Sequence, residues 1–309
     1  MNRLHPRWLA PAVFLLVASG SLPAISAAAE SRVSAASLPN PFFAYCVGIG
    51  VGKETASLQA QLELPKMLSD LGYAGMAYVG LDGSLEMLDA LEKQGLKLFA
   101  VYTPLNVDPD KPGYDPRLKE IIPKLQGHGT VVWLVLNSTK YKPSSTEGDD
   151  RAVELLREIA DQARPYGISL SMYPHRGSYT ERLEDVVRVI KKTGRPNVGA
   201  TFTLCHFLAV DDARNLDRVL QLAKPYLNMV NINGTDGYDP KNRAGWIQTL
   251  DQGSFDLVTV LKALRKVDYR GPIGLIAFGI KGDRRDILAR SIKAWKELSA
   301  KAASDSGSR

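Results

Sequence analysis

Strand-like and helix-like runs alternate eight times along this chain, and this repetition constrains the fold more than any other feature. The first pair is residues 42–49 and 58–71, and the last pair is residues 272–278 and 283–300. The fourth strand, 130–137, is apolar enough to be buried on both faces, as in a parallel sheet. Eight pairs without a second domain predict an α/β fold, a single-domain (β/α)8 TIM barrel. An open doubly wound sheet is the alternative, but no Gly-x-Gly-x-x-Gly follows the first strand.

The N-terminal segment differs in composition from the rest of the chain. Arg3 and Arg7 precede an apolar run, and small residues then lead to Ala29 and Glu30, which is the layout of a cleavable secretory signal. A membrane anchor would need roughly 20 uninterrupted apolar residues, and Pro11 shortens this run. We therefore expect export to the periplasm or the extracellular space. The expected organisation is a signal peptide at 1–29, a flexible leader at 30–40, the barrel at 41–300 and a disordered tail at 301–309.

The net charge and the two cysteines argue against a nucleic-acid-binding protein and against a disulfide-rich one. Removal of residues 1–29 lowers the net charge from +6 to +4, and no run of lysine and arginine with interleaved aromatics is present. Nucleic acid is therefore not an expected partner. Cys46 and Cys205 lie in apolar strand-like runs and are expected to be buried thiols rather than a disulfide framework. After signal cleavage no membrane association is expected, and the sequence leaves the oligomeric state open, a homo-oligomer included.

Residues 168–206 form a β-α-β unit that carries two histidines. Apolar and polar residues alternate from 168 to 175, which predicts a strand ending at His175. A helix-like segment, 180–192, separates it from a second strand-like run, 197–206, which ends at His206. In parallel α/β folds the chemistry is found at the carboxyl ends of strands, so we expect both imidazoles there.

Other polar and aromatic side chains collect at the predicted strand ends. They are Asn137, Tyr173, Arg176, Thr203, Asn231, Asn233, Asp236 and Phe278. Imidazole titrates near neutral pH, so His175 and His206 suit acid–base chemistry, and amides suit sugar hydroxyls. A strand-end histidine or amide also serves to hydrogen-bond loop backbone, and this alternative stays open. Ser254 is expected to cap the seventh helix.

Several segments together resemble the xylose isomerase-like TIM barrel family of sugar phosphate isomerases and epimerases, in particular an exported bacterial branch. The segments are Tyr173-Pro-His175, Asn197 to His206, Ile232-Asn-Gly-Thr-Asp236, Gly253-Ser-Phe-Asp256 and Tyr269-Arg-Gly271-Pro272. The resemblance implies a carbohydrate substrate and the eight-fold barrel. It also implies that His175, His206 and Asp236 surround the substrate.

The resemblance further implies a divalent metal, Mn, Mg or Zn, held by Glu, Asp, His and Glu. This chain departs from that pattern, since the four positions carry Tyr173, Thr203, Asn233 or Asn231, and Ile276. A hard divalent ion prefers carboxylate oxygen, and only imidazoles are left here for a transition metal. The substitutions argue against the family's metal site, and we assign no metal ligands.

These observations favour an exported enzyme that acts on a carbohydrate by proton abstraction beside the carbonyl of a keto-sugar. His175, His206 and Asp236 are the expected catalytic residues, and the other strand-end side chains are expected to bind substrate. A lyase or hydratase acting on 3-keto-glycosides shares the first step and remains an alternative. A second alternative is a non-catalytic barrel that binds saccharides, for which Phe278, Trp246 and Tyr238 offer stacking surfaces.

Overall fold

The computed structural model describes residues 37–49 and 58–304, and its eight strands close into a parallel barrel. Each strand pairs with the next one in sequence, and the eighth closes the ring against the first. The strands are β1 (Phe42–Tyr45), β2 (Gly75–Val79), β3 (Lys97–Asn106), β4 (Val131–Asn137), β5 (Leu170–Met172), β6 (Val198–Thr203), β7 (Leu227–Ile232) and β8 (Ile273–Leu275). The predicted (β/α)8 barrel is confirmed, and the open sheet is excluded.

Helices connect successive strands. They are α1 (Leu58–Gln61), α2 (Leu64–Leu71), α3 (Ser84–Glu92), α4 (Leu118–Lys124), α5 (Asp149–Ala163), α6 (Leu183–Thr193), α7 (Leu204–Val210), α8 (Leu216–Ala223), α9 (Leu257–Lys266) and α10 (Arg284–Ser304). Short 3-10 turns lie at Arg164–Tyr166, Ala213–Asn215 and Arg243–Gly245. The pattern is the one expected when helices form an outer ring around a closed parallel barrel and the side chains of the strands fill its interior.

Two predicted strands end earlier than the sequence indicated. β5 ends at Met172, so His175 lies in the following loop, and β6 ends at Thr203. The run from Leu204 onward is helical, which places His206 in the first turn of α7 rather than in a strand. β5 does not extend through Pro174, which has no N–H for the strand ladder. The run after Thr203 was predicted wrongly because a short apolar run has no periodicity that separates a strand from a buried helix.

Two helix predictions also needed correction. The predicted helix 58–71 is divided into α1 and α2, and Pro65 lies in the first turn of α2, where its missing N–H costs nothing. Asp256, not Ser254, caps α9, since its carboxylate accepts a hydrogen bond from the Val258 N–H at 2.9 Å.

The barrel interior is filled by aromatic side chains. The rings of Phe43 and Phe99 stack with centroids 4.9 Å apart, and the fully buried Trp133 lies 6.1 Å from Phe43. β8 approaches this layer through Gly274, where an added Cβ would lie 2.4 Å from both Phe43 Cζ and Asn231 Oδ1. A ligand can therefore enter only above this layer, at the carboxyl ends of the strands.

Among the described residues no helix is both long and apolar enough to cross a membrane. Cys46 and Cys205 are buried and unbonded, as predicted. The predicted signal peptide and most of the predicted leader fall outside the described residues, as do residues 50–57 and 305–309. α10 continues to Ser304, past its predicted end at residue 300.

Candidate active site

A cavity of about 330 Å³ opens at the carboxyl ends of the strands, where the sequence predicted the site. Its polar and aromatic walls come from Tyr45, Tyr102, Tyr173, His175, Arg176, Cys205, His206, Arg243, Trp246 and Phe278. Its aliphatic walls come from Val47, Val79, Ile247 and Ile276. Among the described residues the lining therefore includes two arginines and two histidines but no aspartate or glutamate.

The two predicted histidines meet in this cavity. The imidazole rings of His175 and His206 have centroids 4.1 Å apart and an interplanar angle of 47°. His206 is 7% exposed, and its ring also contacts the edge or face of Tyr173 at 5.8 Å and of Trp246 at 6.0 Å. The prediction that these imidazoles lie close together agrees with the structure, but the prediction that both lie on strands was wrong.

Burial keeps both imidazoles neutral. It lowers the pKa of His175 below the ordinary value of 6.5, and the positive charge of Arg176 lowers it further, against a backbone hydrogen bond that raises it. Burial also lowers the pKa of His206 well below 6.5, assisted by the charges of His175 and Arg176. A neutral imidazole has one free nitrogen lone pair, so each ring can accept a proton at neutral pH.

The loop after β5 selects the tautomer of His175. Its Nδ1 lies 2.9 Å from the Arg176 carbonyl oxygen, and because a carbonyl only accepts, Nδ1 must carry the hydrogen. The loop is held by hydrogen bonds from the His175 N–H to the Thr180 carbonyl (3.3 Å) and from the Ser178 N–H to the His175 carbonyl (2.9 Å). His175 therefore has its free lone pair on Nε2. For His206, Nδ1 is buried without a hydrogen-bond partner among the described residues.

Three tyrosines from β1, β3 and the end of β5 surround the same cavity. The ring centroids are 6.1 Å apart for Tyr45 and Tyr102, 5.4 Å for Tyr102 and Tyr173, and 6.3 Å for Tyr45 and Tyr173. Burial raises the pKa of all three phenols above the ordinary value of 10.0, so they remain protonated. They therefore offer neutral O–H donors beside the histidine pair.

Trp246 covers His206 from the loop between β7 and α9. Its Nε1–H donates to the Cys205 carbonyl at 2.7 Å, which ties this loop to the start of α7. Asn233 stabilises the same loop, because its Nδ2 donates hydrogen bonds to the carbonyls of Gly234 (2.9 Å) and Trp246 (3.1 Å). Asn233 thus positions a wall of the cavity, which is the loop-supporting role that the sequence left open.

The other predicted residues divide between the cavity and its surroundings. Arg176 and Phe278 line the cavity, and Phe278 is 55% exposed. Thr203 and Asn231 face each other in the β6–β7 register and are buried, and both polar atoms of the Asn231 amide lack a hydrogen-bond partner among the described residues. Asn137 accepts a hydrogen bond from the Ser178 hydroxyl at 2.8 Å, outside the cavity lining.

Asp236 is exposed and holds a loop. Its carboxylate accepts hydrogen bonds from Gln248 Nε2 at 2.7 Å and from the Ser254 N–H at 2.8 Å, and these bonds hold its pKa below the usual range. Gly253, at φ +94°, lets the chain pass so close to Thr235 that a Cβ would lie 2.3 Å from its carbonyl oxygen. Among the described residues Asp236 does not line the cavity, and it orders the loop that carries Trp246.

Tyr45 and Arg243 line the cavity but were not predicted as site residues. Tyr45 could have been found, because it occupies the last position of β1 and so faces the same edge as the histidines. Arg243 lies in the β7–α9 loop, and nothing in its local sequence indicates that the loop folds over the cavity.

The chain is similar in sequence or in fold to several known proteins. An inosose isomerase of Bacillus velezensis is 24% identical over 147 residues, which cover 45% of this chain and 50% of that protein. The match thus spans about half the length of that curated relative. The structure of a D-allulose 3-epimerase from Methylomonas sp. in complex with D-allulose superposes with a TM-score of 0.66 at 16% identity, over 85% of this chain and 99% of that one.

A third similar structure contains a metal. It is a xylose isomerase-like TIM barrel protein from Mycobacterium smegmatis in complex with magnesium, with a TM-score of 0.63 at 17% identity over 85% of this chain and 98% of that one. In the described part of this chain, no three His, Cys, Asp or Glu side chains lie close enough together to hold one ion. The donors at the mouth are two imidazoles and three protonated phenols, which do not fit a hard divalent ion. No step of the reaction is therefore assigned to a metal ion.

A family model covers most of the barrel. The model described as xylose isomerase-like TIM barrel matches residues 66–298, from α2 to α10. The closed eight-stranded topology and the position of the cavity agree with that match. The chain belongs to the xylose isomerase-like TIM barrel family.

Proposed function

We propose that this protein isomerises a carbohydrate by moving a proton beside the carbonyl of a keto-sugar, and that His175 and His206 carry the proton. The observation that supports this most strongly is the pair of neutral imidazoles whose centroids lie 4.1 Å apart in the cavity wall. Neutral imidazoles are effective acids and bases near neutral pH. The family membership and the sugar-converting relatives agree with a carbohydrate substrate.

In the proposed first step one imidazole takes the proton from the carbon next to the carbonyl. The C–H electron pair forms the carbon–carbon double bond of an enolate, and the carbonyl π pair moves to oxygen. His175 suits this step because its free lone pair is on Nε2 and its Nδ1–H is fixed by the Arg176 carbonyl. In the second step the proton returns to the neighbouring carbon, and the neighbouring imidazole, His206, moves the hydroxyl proton between the two oxygens.

The enolate oxygen needs hydrogen-bond donors, because the described part of the cavity lining contains no carboxylate that would hold a divalent ion. Tyr45, Tyr102 and Tyr173 supply three phenol groups around the cavity, with ring centroids 5.4–6.3 Å apart. Tyr45 and Tyr102 have no hydrogen-bond acceptor among the described residues, so their O–H groups are available to a ligand. Preorganised donors in a water-poor site commonly contribute about 3 kcal/mol each to stabilising an oxyanion.

The closeness of the two imidazoles also bears on stereochemistry. Inversion by two bases requires the bases on opposite faces of the substrate carbon, with the substrate between them. Rings with centroids 4.1 Å apart leave no room for a sugar between them, so both act on one face. Proton transfer between adjacent carbons on one face is the chemistry of an aldose–ketose isomerase, and this arrangement supports isomerisation more than two-base epimerisation.

The same arrangement supports a second candidate, elimination on a 3-keto-glycoside. The first proton abstraction is identical, and the imidazolium that it produces would then give its proton to the leaving oxygen on the same face as the C–O bond breaks. The two reactions differ in products rather than in residues. A lyase or hydratase is therefore the alternative that the pair favours next.

Two aromatic side chains provide a surface for a sugar ring. Trp246 and Phe278 line the cavity, and Phe278 is 55% exposed although it is a large apolar residue. Exposed aromatic rings at the mouth of a pocket favour stacking against the C–H face of a saccharide.

We propose in addition that the protein acts outside the cytoplasm, because residues 1–29 have the layout of a secretory signal.

The proposal is tested by hydrogen exchange. The purified protein is incubated in deuterated water with D-fructose, D-allulose and a 3-keto-glucoside, and deuterium at the carbon beside the carbonyl is measured by NMR. We expect catalysed incorporation into at least one keto-sugar and its loss in His206→Gln. Saturable sugar binding without incorporation into any of the three would support the non-catalytic saccharide-binding barrel instead.

A further inference from the structure

Two arginines at the mouth of the cavity have no ionic partner in the part of the chain that the structure describes. Arg176, in the β5–α6 loop, and Arg243, in the β7–α9 loop, both line the cavity. Among the described residues neither guanidinium makes an ion pair or a side-chain hydrogen bond, although most other arginines of the barrel do. A guanidinium has five N–H donors, and those of Arg176 and Arg243 are available to a ligand.

Aromatic rings hold both guanidiniums in place. The Arg176 guanidinium carbon lies 4.8 Å from the ring centroid of Tyr238, and that of Arg243 lies 5.1 Å from the ring of Trp246. The rings of Tyr238 and Trp246 in turn contact each other, with centroids 5.0 Å apart. The two rings meet edge to face at 71°, so the four side chains form a continuous chain of contacts with a guanidinium stacked on each ring. Stacking of this kind orients a guanidinium while leaving its N–H edge open.

The nearby carboxylates are engaged elsewhere. Glu181 accepts a hydrogen bond from the Gly177 N–H at 3.0 Å, and Asp211 lies 3.6 Å from Arg182 and 3.9 Å from Arg218. Asp236 is bonded to Gln248 and Ser254. None of these acids is part of the described cavity lining, and none lies within ion-pair distance of Arg176 or Arg243.

We propose that Arg176 and Arg243 bind an anionic group on the substrate, so that this protein acts on a sugar that carries a carboxylate or a phosphate rather than on a neutral sugar. This inference rests on the proposed carbohydrate function and narrows its substrate class. Two arginines that reach one cavity from separate loops suit a carboxylate or phosphate, whose oxygens accept several charge-assisted hydrogen bonds. The anionic group would hold one end of the sugar at the guanidiniums of Arg176 and Arg243, and the other end of the sugar would reach the histidine pair.

The experiment measures binding without turnover. Protein carrying isotope-labelled arginine is titrated with D-glucuronate, D-glucose 6-phosphate and D-glucose while the guanidinium Nε–H resonances are followed by NMR. The resonances are assigned from Arg176→Lys and Arg243→Lys. The first two sugars differ from glucose mainly in the charged group, and comparison between them separates a carboxylate site from a phosphate site.

We expect saturable shifts of both resonances with at least one anionic sugar, and binding at least tenfold weaker for D-glucose. Arg176→Gln and Arg243→Gln should each weaken binding of that anionic sugar by about tenfold, which corresponds to one charge-assisted hydrogen bond lost. Arg270→Gln serves as the control, because Arg270 is exposed and pairs with Asp268. Binding should also weaken as salt is raised, since the guanidiniums are partly exposed.

Equal binding of D-glucose, or no saturable shift with either anionic sugar, would overturn the inference. The result is independent of the hydrogen-exchange test. For this comparison the exchange test also includes D-fructose 6-phosphate and D-fructuronate. Anion binding without deuterium incorporation into either anionic keto-sugar would leave the inference standing and reject the isomerase, whereas incorporation into a neutral keto-sugar without anion binding would do the reverse.

Discussion

The imidazole rings of His175 and His206 lie with their centroids 4.1 Å apart, although His175 belongs to the β5–α6 loop and His206 to the first turn of α7. Each ring is buried enough that its pKa is lowered, so two neutral imidazoles share one wall of the cavity. Protonation of both rings would place two positive charges about 4 Å apart and raise the free energy of the pair. The arrangement therefore favours a site with at most one proton in excess.

Replacement of His206 by glutamine should abolish most of the proton transfer. We expect catalysed deuterium incorporation to fall by about a hundredfold or more, the usual contribution of a positioned acid or base. His128→Gln is the matched control, because His128 pairs with Glu92 at the opposite end of the barrel. A comparable loss in both variants would show that folding, not chemistry, is responsible.

Acid should destabilise the fold through the same residues. The pKa of both histidines is lower in the folded protein than the unfolded value of 6.5, so the unfolded chain binds more protons below that value. The contribution to stability is full above pH 6.5 and decreases as the pH falls through the folded pKa values. Thermal unfolding followed by circular dichroism should show the melting temperature falling below pH 6.5, and less steeply in His206→Gln than in the wild type. A parallel pH dependence of the two proteins would contradict the assignment.

The tyrosines should affect the chemical step rather than the fold. Tyr102→Phe removes one O–H and leaves the ring that packs against Tyr173, so we expect turnover to fall by about a hundredfold with little change in melting temperature. Tyr166→Phe, at a solvent-exposed position after α5, is the control. Steady-state kinetics on the keto-sugar found by the exchange assay measures the effect. Unchanged turnover in Tyr102→Phe would remove that phenol from the mechanism.

The barrel could be predicted from the sequence because its signals are local. The apolar run 130–137 predicted a buried strand, which is observed as β4 (Val131–Asn137). The rule that parallel strands present their carboxyl ends at one edge predicted that Tyr173, His175 and His206 lie together. These features depend on periodicity and on the fold class alone.

The rest of the site depends on contacts between distant segments. Trp246 reaches His206 because its Nε1–H bonds the Cys205 carbonyl, a contact across 41 positions of the chain. Arg243 lines the cavity only because this loop folds inward, and Asp236 lies outside the described lining because Gln248 and Ser254 engage its carboxylate. None of these contacts has a signal in the neighbouring residues.

A buried charge cluster between α5 and α6 should be important for stability. Asp149 is 1% exposed and accepts hydrogen bonds from Tyr179 at 2.7 Å, Lys192 at 2.7 Å and Arg188 at 3.0 Å. Asp149→Asn removes the buried carboxylate that accepts these bonds, while Arg188 keeps its ion pair with Asp185, and we expect the free energy of unfolding to fall by about 2 kcal/mol. Asp161→Asn, which breaks an exposed pair with Arg195, should have little effect. Urea denaturation measures both, and equal effects would show that burial of the cluster is unimportant.

The central claim is that the histidine pair transfers a proton without the carboxylate-held metal that the family pattern implies. The most direct test is deuterium incorporation into the active keto-sugar by protein dialysed against a chelator, with metal content determined by elemental analysis of the same sample. We expect incorporation to continue at the same rate without bound metal and to be lost in His206→Gln. Incorporation that disappears on chelation and returns with one equivalent of Mn, Zn or Mg would contradict it, and would mean that a metal binds through a different set of ligands.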